Sequence, residues 1–172
     1  STPENGYCIR TCIDVDYATY NYFNGNEEEI LIWVSSICVG AISIYLDTWN
    51  GLINWQISLI HLWDTQDPIM VEPGPVEDYT FLTRTRNAWN NIDTLSQLYQ
   101  EYDLHIVYTF TILSKNLQGP FGPNSSGLLG SAYPDMVCKD NVPFITANVG
   151  ISYQLWPEGV SEQNTLTLAH EW

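Results

Sequence analysis

Residues 7–63 read YCIRTCIDVDYATYNYFNGNEEEILIWVSSICVGAISIYLDTWNGLINWQISLIHLW, and the change of hydrophobic period inside this stretch decides the fold class. From Tyr7 to Asp16 the residues alternate. Ile9, Thr11, Ile13 and Val15 fall on one face and Cys8, Arg10, Cys12 and Asp14 on the other, the two-residue period of a strand. Turn residues over Asn21 to Asn26 lead into Glu27-Glu28-Glu29, where acid favours a helix start, and then into an apolar-rich segment that runs to about Trp49. Asn50-Gly51 stops it, and alternation returns. Ile53, Trp55, Ile57, Leu59 and His61 share one face of a second strand, and Gln56, Ser58, Ile60 and Leu62 share the other.

Downstream, the Pro-rich run Pro68 to Pro75 ends the second strand. Between Glu77 and Tyr102, apolar residues from Phe81 to Tyr99 recur at helical spacing, which predicts a helix in two pieces meeting near Asn90-Asn91. Leu104 to Leu113 reads as a third strand, Gly119 to Gly130 as a loop, and Leu128 to Tyr133 and Phe144 to Tyr153 as short strands on either side of Cys138. A last helix carries Leu166, Leu168 and Ala169, with Ser161 or Asn164 as its cap. The order β-α-β-α-β-β-β-α predicts an α/β sandwich, one mixed β-sheet covered by helices, in a single domain over residues 1–172.

Twenty acidic residues against five basic ones give a net charge of −15, so phosphate backbones and anionic membranes repel the chain and nucleic-acid binding is excluded. The apolar-rich stretch Ile30 to Leu46 contains Ser35, Ser36 and Ser43; it is expected to fall short of a membrane span and to form a buried helix. Seven Trp and eleven Tyr supply large contact areas for a core or for self-association. Cys8, Cys12, Cys38 and Cys138 are an even set without a CxxC pair, which predicts two disulfides. On one strand Cys8 and Cys12 stand about 13 Å apart, too far to bridge, so each would pair with Cys38 or Cys138. Asn124-Ser125-Ser126 is an N-glycosylation acceptor sequence in a loop. Both features point to a secreted protein, and since no signal peptide opens the sequence, such a protein is expected here in processed form.

The sequence closes on Thr165-Leu166-Thr167-Leu168-Ala169-His170-Glu171-Trp172. In H-E-x-x-H a helix sets two histidines one turn apart on one metal, and the Glu beside the first acts on the bound water as general base. Here the first His and the Glu are present. Three further segments extend the pattern: "INWQISLIHLWDTQDP" at 53–68, a strand ending in Trp and an Asp-Pro turn; "SGLLGSAYPDMVC" at 126–138; and Phe144 to Tyr153 with "VGIS" before the helix. Together with "TLAHE" and the element order, these segments make the chain resemble the metzincin zinc proteases, specifically the adamalysin or reprolysin (ADAM-like) catalytic domain.

That resemblance implies a metzincin-like mixed sheet sandwiched with helices, of which this chain covers the N-terminal subdomain. It implies His170 as first zinc ligand, Glu171 as general base, and Leu128, Leu129, Gly130, Ser131 and Ala132 as the edge strand that pairs with an extended peptide substrate. The second and third histidines of the motif and its Met-containing turn do not occur within residues 1–172. Zinc is therefore expected only if residues beyond Trp172 supply the missing ligands, and this chain alone should not hydrolyse peptides. The competing reading is a structural or assembly protein on a degenerate metzincin fold; a third is an unrelated extracellular domain in which His-Glu is accidental. His61 and His105 read as packed or rim histidines, Asp14 and Asp16 as surface or strand-end acids, and Gly119 to Gly130 lacks the Lys of a phosphate loop.

Overall fold

The structure, a computed structural model, describes residues 6–67, 78–92, 94, 97, 106–110, 130–132, 149–152 and 162–171. Its elements are β1 (Tyr7–Val15), α1 (Tyr17–Tyr22), α2 (Glu27–Thr48), β2 (Ile53–Leu62), α3 (Asp78–Asn91), β3 (Ile106–Phe110), β4 (Gly130–Ala132), β5 (Val149–Ser152) and α4 (Glu162–Glu171). The strands form one sheet in the order β2-β1-β3-β5-β4. All neighbours are parallel except β4, which runs antiparallel to β5 at the edge. The mixed α/β class expected from the sequence is thus observed. The step from β1 to β2 runs outward, whereas the step from β2 to β3 runs back past β1. Right-handed crossovers in opposite directions place α2 and α3 on opposite faces. Helical backbone resumes after α3 at Thr94 and Gln97, beyond a bend at Ile92, so that helix is interrupted where Asn90-Asn91 suggested.

β1 sits between β2 and β3, and from Thr11 to Val15 both of its faces are buried. A central parallel strand loses water on both sides. Asp14 is therefore not a surface acid: it is fully buried. Asp16, at the strand end, caps α1, its carboxylate accepting from the Thr19 amide at 2.9 Å. The buried Asp67 carboxylate, in the turn after β2, accepts from the Tyr17 amide at 2.9 Å. Two acids thus serve the unpaired amides and positive dipole end of a six-residue helix that strand and helix periodicities alone did not reveal.

The alternation expected along β2 breaks at Ser58. Thr11 pairs with Ile57 but Cys12 with Leu59, so β2 carries one extra residue. Such a bulge reverses the facing of everything beyond it. Ile53, Trp55 and Ile57, then Ile60 and Leu62, pack into the core under α2, whereas Leu59 and His61 pair with Cys12 and Asp14, whose side chains face the opposite side from Ile13. His61 consequently does not share a face with Trp55.

Asn26 caps α2 through its side-chain oxygen, which accepts from the Glu29 amide at 3.3 Å, and Glu27, Glu28 and Glu29 occupy the first turn. The helix ends where Asn50 and Gly51 take positive φ values of 48° and 76° and the Gly51 amide reaches the Leu46 carbonyl. Its inner stripe, Ile30, Trp33, Val34, Ile37, Cys38 and Ala41, joins Ile9, Ile13, Val15, Trp55 and Leu168 in the core. With 22 residues and a mean hydropathy of 1.9 it is, against expectation, long and apolar enough by length and composition to cross a membrane. The inner stripe accounts for part of that apolarity; Ile32 and Val39 remain about three-fifths exposed, at 61% and 62%.

α4 packs beside α2 and against β4 and β5. Asn164 lies inside α4 and is buried, so it is not the cap; Ser161 lies outside the described residues. The two helices approach closely at Gly40, where an added Cβ would lie 2.7 Å from Thr165 Cγ2 and 2.8 Å from its Oγ1. A β-branched neighbour cannot swing aside freely. Gly40→Ala is expected to cost about 1–2 kcal/mol despite the better helix propensity of alanine, because overpacking outweighs it. Gly40→Ala with Thr165→Ala should restore the parent stability or exceed it. Urea midpoints of the four variants of the cycle check this, and a stabilising single Gly40→Ala would contradict it.

Candidate functional site

α4 buries Asn164, Thr167 and Leu168, spaced three and four apart, and leaves Leu166 and His170 exposed one turn apart on its outer side. His170 thus stands in the last turn with its side chain open to solvent, and Glu171 is the last helical residue. Ala169, just before them, packs against the core, and its carbonyl accepts from the Tyr45 hydroxyl of α2 at 3.1 Å. Tyr45 in turn sets its ring edge-on to Trp55 of β2, with centroids 5.5 Å apart. Partial burial raises the Tyr45 hydroxyl pKa above its ordinary value, which keeps it protonated and able to donate.

β4 pairs Gly130 with Ser152, Ser131 with Ile151 and Ala132 with Gly150, and among the described residues it is the last strand on its side of the sheet. Gly130, Ser131 and Ala132 therefore lie on an edge strand whose neighbour is also in contact with the His170 helix. Leu128, Leu129, Asn124, Cys138 and His105 fall outside the described residues. The helix that carries His170-Glu171 is in contact with β4. That contact does not add metal donors to them: among the described residues no group of three or more His, Cys, Asp or Glu could hold an ion.

The second described histidine belongs to a different cluster. His61 Nδ1 lies 2.9 Å from Asp14 Oδ1, and Trp89 Nε1–H of α3 donates to Asp14 Oδ2 at 3.2 Å. The imidazole is flanked edge-on by Trp63, at 4.9 Å between centroids, and by Trp89, at 5.8 Å. With its proton on Nδ1 the ring donates to Asp14 and turns Nε2 away from the carboxylate. This agrees with reading His61 as a packed histidine. Its partners were not legible, because the bulge at Ser58 is what turns His61 toward Asp14. The cluster fastens α3 to the sheet on the face away from His170.

The two expected disulfides are not seen among the described residues: Cys8, Cys12 and Cys38 are free thiols, the first exposed and the other two buried. Cys38 faces the core from α2 while Cys12 points to the other face of β1, so the sheet stands between them. Burial pushes the Cys38 thiol up to about 12 from its ordinary value of 9.0. Burial, and then the Asp14 charge, push Cys12 well above that ordinary value. Thiolate character, which reactivity requires, is suppressed at both.

Three outcomes follow from these groups. Trp89→Phe keeps a ring against His61 but removes a donor from a buried carboxylate, and should lower stability by roughly 2–3 kcal/mol in urea unfolding; an unchanged midpoint would mean that Asp14 is satisfied without the indole. Of the three described cysteines, a thiol reagent at neutral pH should label only Cys8 until the protein is unfolded. The unfolded chain releases the Cys38 proton near pH 9.0 while the folded chain holds it to about 12. Stability from this group is thus whole below that lower value and lost as pH climbs through the interval. Cys38→Ala should flatten that alkaline decline.

No family model and no curated protein matches the sequence. Among solved structures, a chain from the "Structure of a chaperone-substrate complex" is similar to this one with a TM-score of 0.52 and 10% sequence identity. The similarity covers 87% of this chain and 21% of that one. At this identity the likeness concerns the fold alone, and the protein described here spans about a fifth of the length of the chain it resembles.

Proposed function

We propose that the chain is the N-terminal portion of a secreted zinc-dependent endopeptidase domain of the metzincin, adamalysin-like type. The observation that carries this reading is that α4, which closes on His170-Glu171, contacts the antiparallel edge strand Gly130–Ala132. An edge strand offers unpaired amides and carbonyls to an extended peptide, which would bind by strand addition beside the helix. His170 offers an exposed imidazole nitrogen as one ligand, and the Glu171 carboxylate would take the proton from the attacking water. Zinc, when bound, would polarise the scissile carbonyl and that water. One histidine does not make a three-ligand site, so in this reading the remaining ligands follow Trp172 and the present residues alone are inactive. Secretion and glycosylation at Asn124 belong to the same reading.

A second reading, assembly without catalysis on the same fold, is favoured by the exposed apolar side of α2, where Ile32, Val39 and Leu46 recur every seven residues. The two separate in the full natural protein that contains residues 1–172. There we expect about one zinc per chain, its loss in His170→Ala, and a fall in peptide hydrolysis of at least about a hundredfold in Glu171→Gln with the unfolding temperature retained. Zinc content that is nil, or hydrolysis that survives Glu171→Gln, would overturn the protease reading.

A further inference from the structure

A helix at the surface of a soluble protein carries charge on its solvent side, and a helix that is apolar all round is covered all round. α2 departs from the first of these patterns. Between its terminal acids the exposed positions are Leu31, Ile32, Ser35, Val39, Ser43 and Leu46, and no charged residue occurs from Ile30 to Leu46. The helix also consumes hydroxyls of its own: Ser43 Oγ donates to the Val39 carbonyl at 2.9 Å and Ser36 Oγ to the Ile32 carbonyl at 2.7 Å. Ile32, Ser35, Val39, Ser43 and Leu46 follow one another at spacings of three and four, which aligns them in one stripe on the side away from the core. From Ile32 to Leu46 the stripe runs about 21 Å at helical rise, close to four turns.

Charge decides what can cover it. Glu27, Glu28 and Glu29 stand at one end of the stripe and Asp47 at the other. At the first end a shallow groove is lined by Glu27, Glu28, Leu31, Ile32 and Ser35. A lysine or arginine suits that groove, its aliphatic stem lying on Leu31 and Ile32 and its charged head reaching the carboxylates. Residues 1–172 cannot supply a basic helix themselves, because their five basic residues are Arg10, Arg84, Arg86, Lys115 and Lys139. Arg10 shares its face of β1 with Cys12 and Asp14, away from α2; Arg84 and Arg86 belong to α3, across the sheet; Lys115 and Lys139 stand singly in the sequence. A second copy would set the same acids against each other, with a net charge of −15 on each side. Lipid is a poor match too, since a helix lying in a membrane interface needs basic residues beside its apolar side and α2 has none.

We propose that the outer side of α2 is a docking site for an amphipathic helix of a partner protein, apolar along about four turns and basic at its ends. The proposal rests on the exposed side of α2 that the assembly reading uses, and it holds with or without catalysis. Peptide binding to the full natural protein tests it. The probe is a synthetic helix of about 18 residues with leucines spaced three and four apart and lysines at both ends, and a companion carries glutamates at those ends. The lysine peptide should bind, and Val39→Lys should weaken it about tenfold, since an apolar anchor is lost and a like charge gained. Lysine forms helix at least as well as valine, so the variant folds. Asn87→Lys places the same charge on an exposed position of α3, across the sheet, and should leave the affinity unchanged. The glutamate peptide should bind at least about tenfold more weakly, and high salt should narrow that gap. Equal binding of the two peptides would overturn the basic partner, and so would binding of neither. A dimer in sedimentation of the protein alone, dissociated by Val39→Lys, would make the occupant a second copy. Flotation with phosphatidylcholine vesicles that Val39→Lys abolishes would make it lipid. Zinc content and peptide hydrolysis enter none of these readouts, so the protease reading stands or falls separately.

Discussion

β1 lies between two parallel neighbours with a helix layer on each side, so from Thr11 to Val15 it is cut off from water. A buried carboxylate is tolerated only with donors. Asp14 has two, the Trp89 indole and His61, and they come from α3 and β2. Asp16 turns its carboxylate to the first turn of α1, and Asp67 reaches the same turn from beyond β2. Thr11 Oγ1 has no partner among the described residues and stands as a local cost. Satisfying one strand's polar groups therefore determines where α1, α3 and the end of β2 must lie.

The other face of the same strand organises the apolar half of the molecule. Ile9, Ile13 and Val15 receive the inner stripe of α2, and Leu168 of α4 fills the same cluster. Because α2 meets α4 at a glycine, the helices come close enough for Tyr45 to reach a backbone carbonyl. The exposed end of α4 and the β4 edge are thereby built on packed elements.

Apart from α1, the order of strands and helices was legible because the period shifts between two and 3.6 residues at places marked by Asn, Gly and acid, as at Glu27 and at Asn50-Gly51. The bulge at Ser58 was not. It carries no glycine or proline, and its effect, turning His61 away from Trp55 toward Asp14, exists only in the pairing with β1. Asp14 looked like a surface acid because its burial comes from β3 and α3, both far along the chain. Two disulfides followed from an even count of cysteines, but which face of β1 each thiol occupies relative to Cys38 is a fact of the sheet. His170-Glu171 was readable as a dipeptide on a helix. The contact of its helix with β4 depends on β5 lying between β3 and β4, which no local pattern encodes.

The order in which the core fills has a consequence for biosynthesis. The strand–helix–strand unit at the start of the sequence is made first, yet the cluster beneath α2 is closed by Leu168, from the last described helix. β1 likewise waits for β3, and β3 for β5. Contacts between such distant segments demand large loop closures before they stabilise anything, and chains of this kind fold slowly. Until α4 arrives, a nascent chain holds an open apolar trough along α2 and an unpaired side on β1. Exposed apolar surface of that kind makes a partly folded chain prone to aggregate, so the early segments depend on the late ones to become stable.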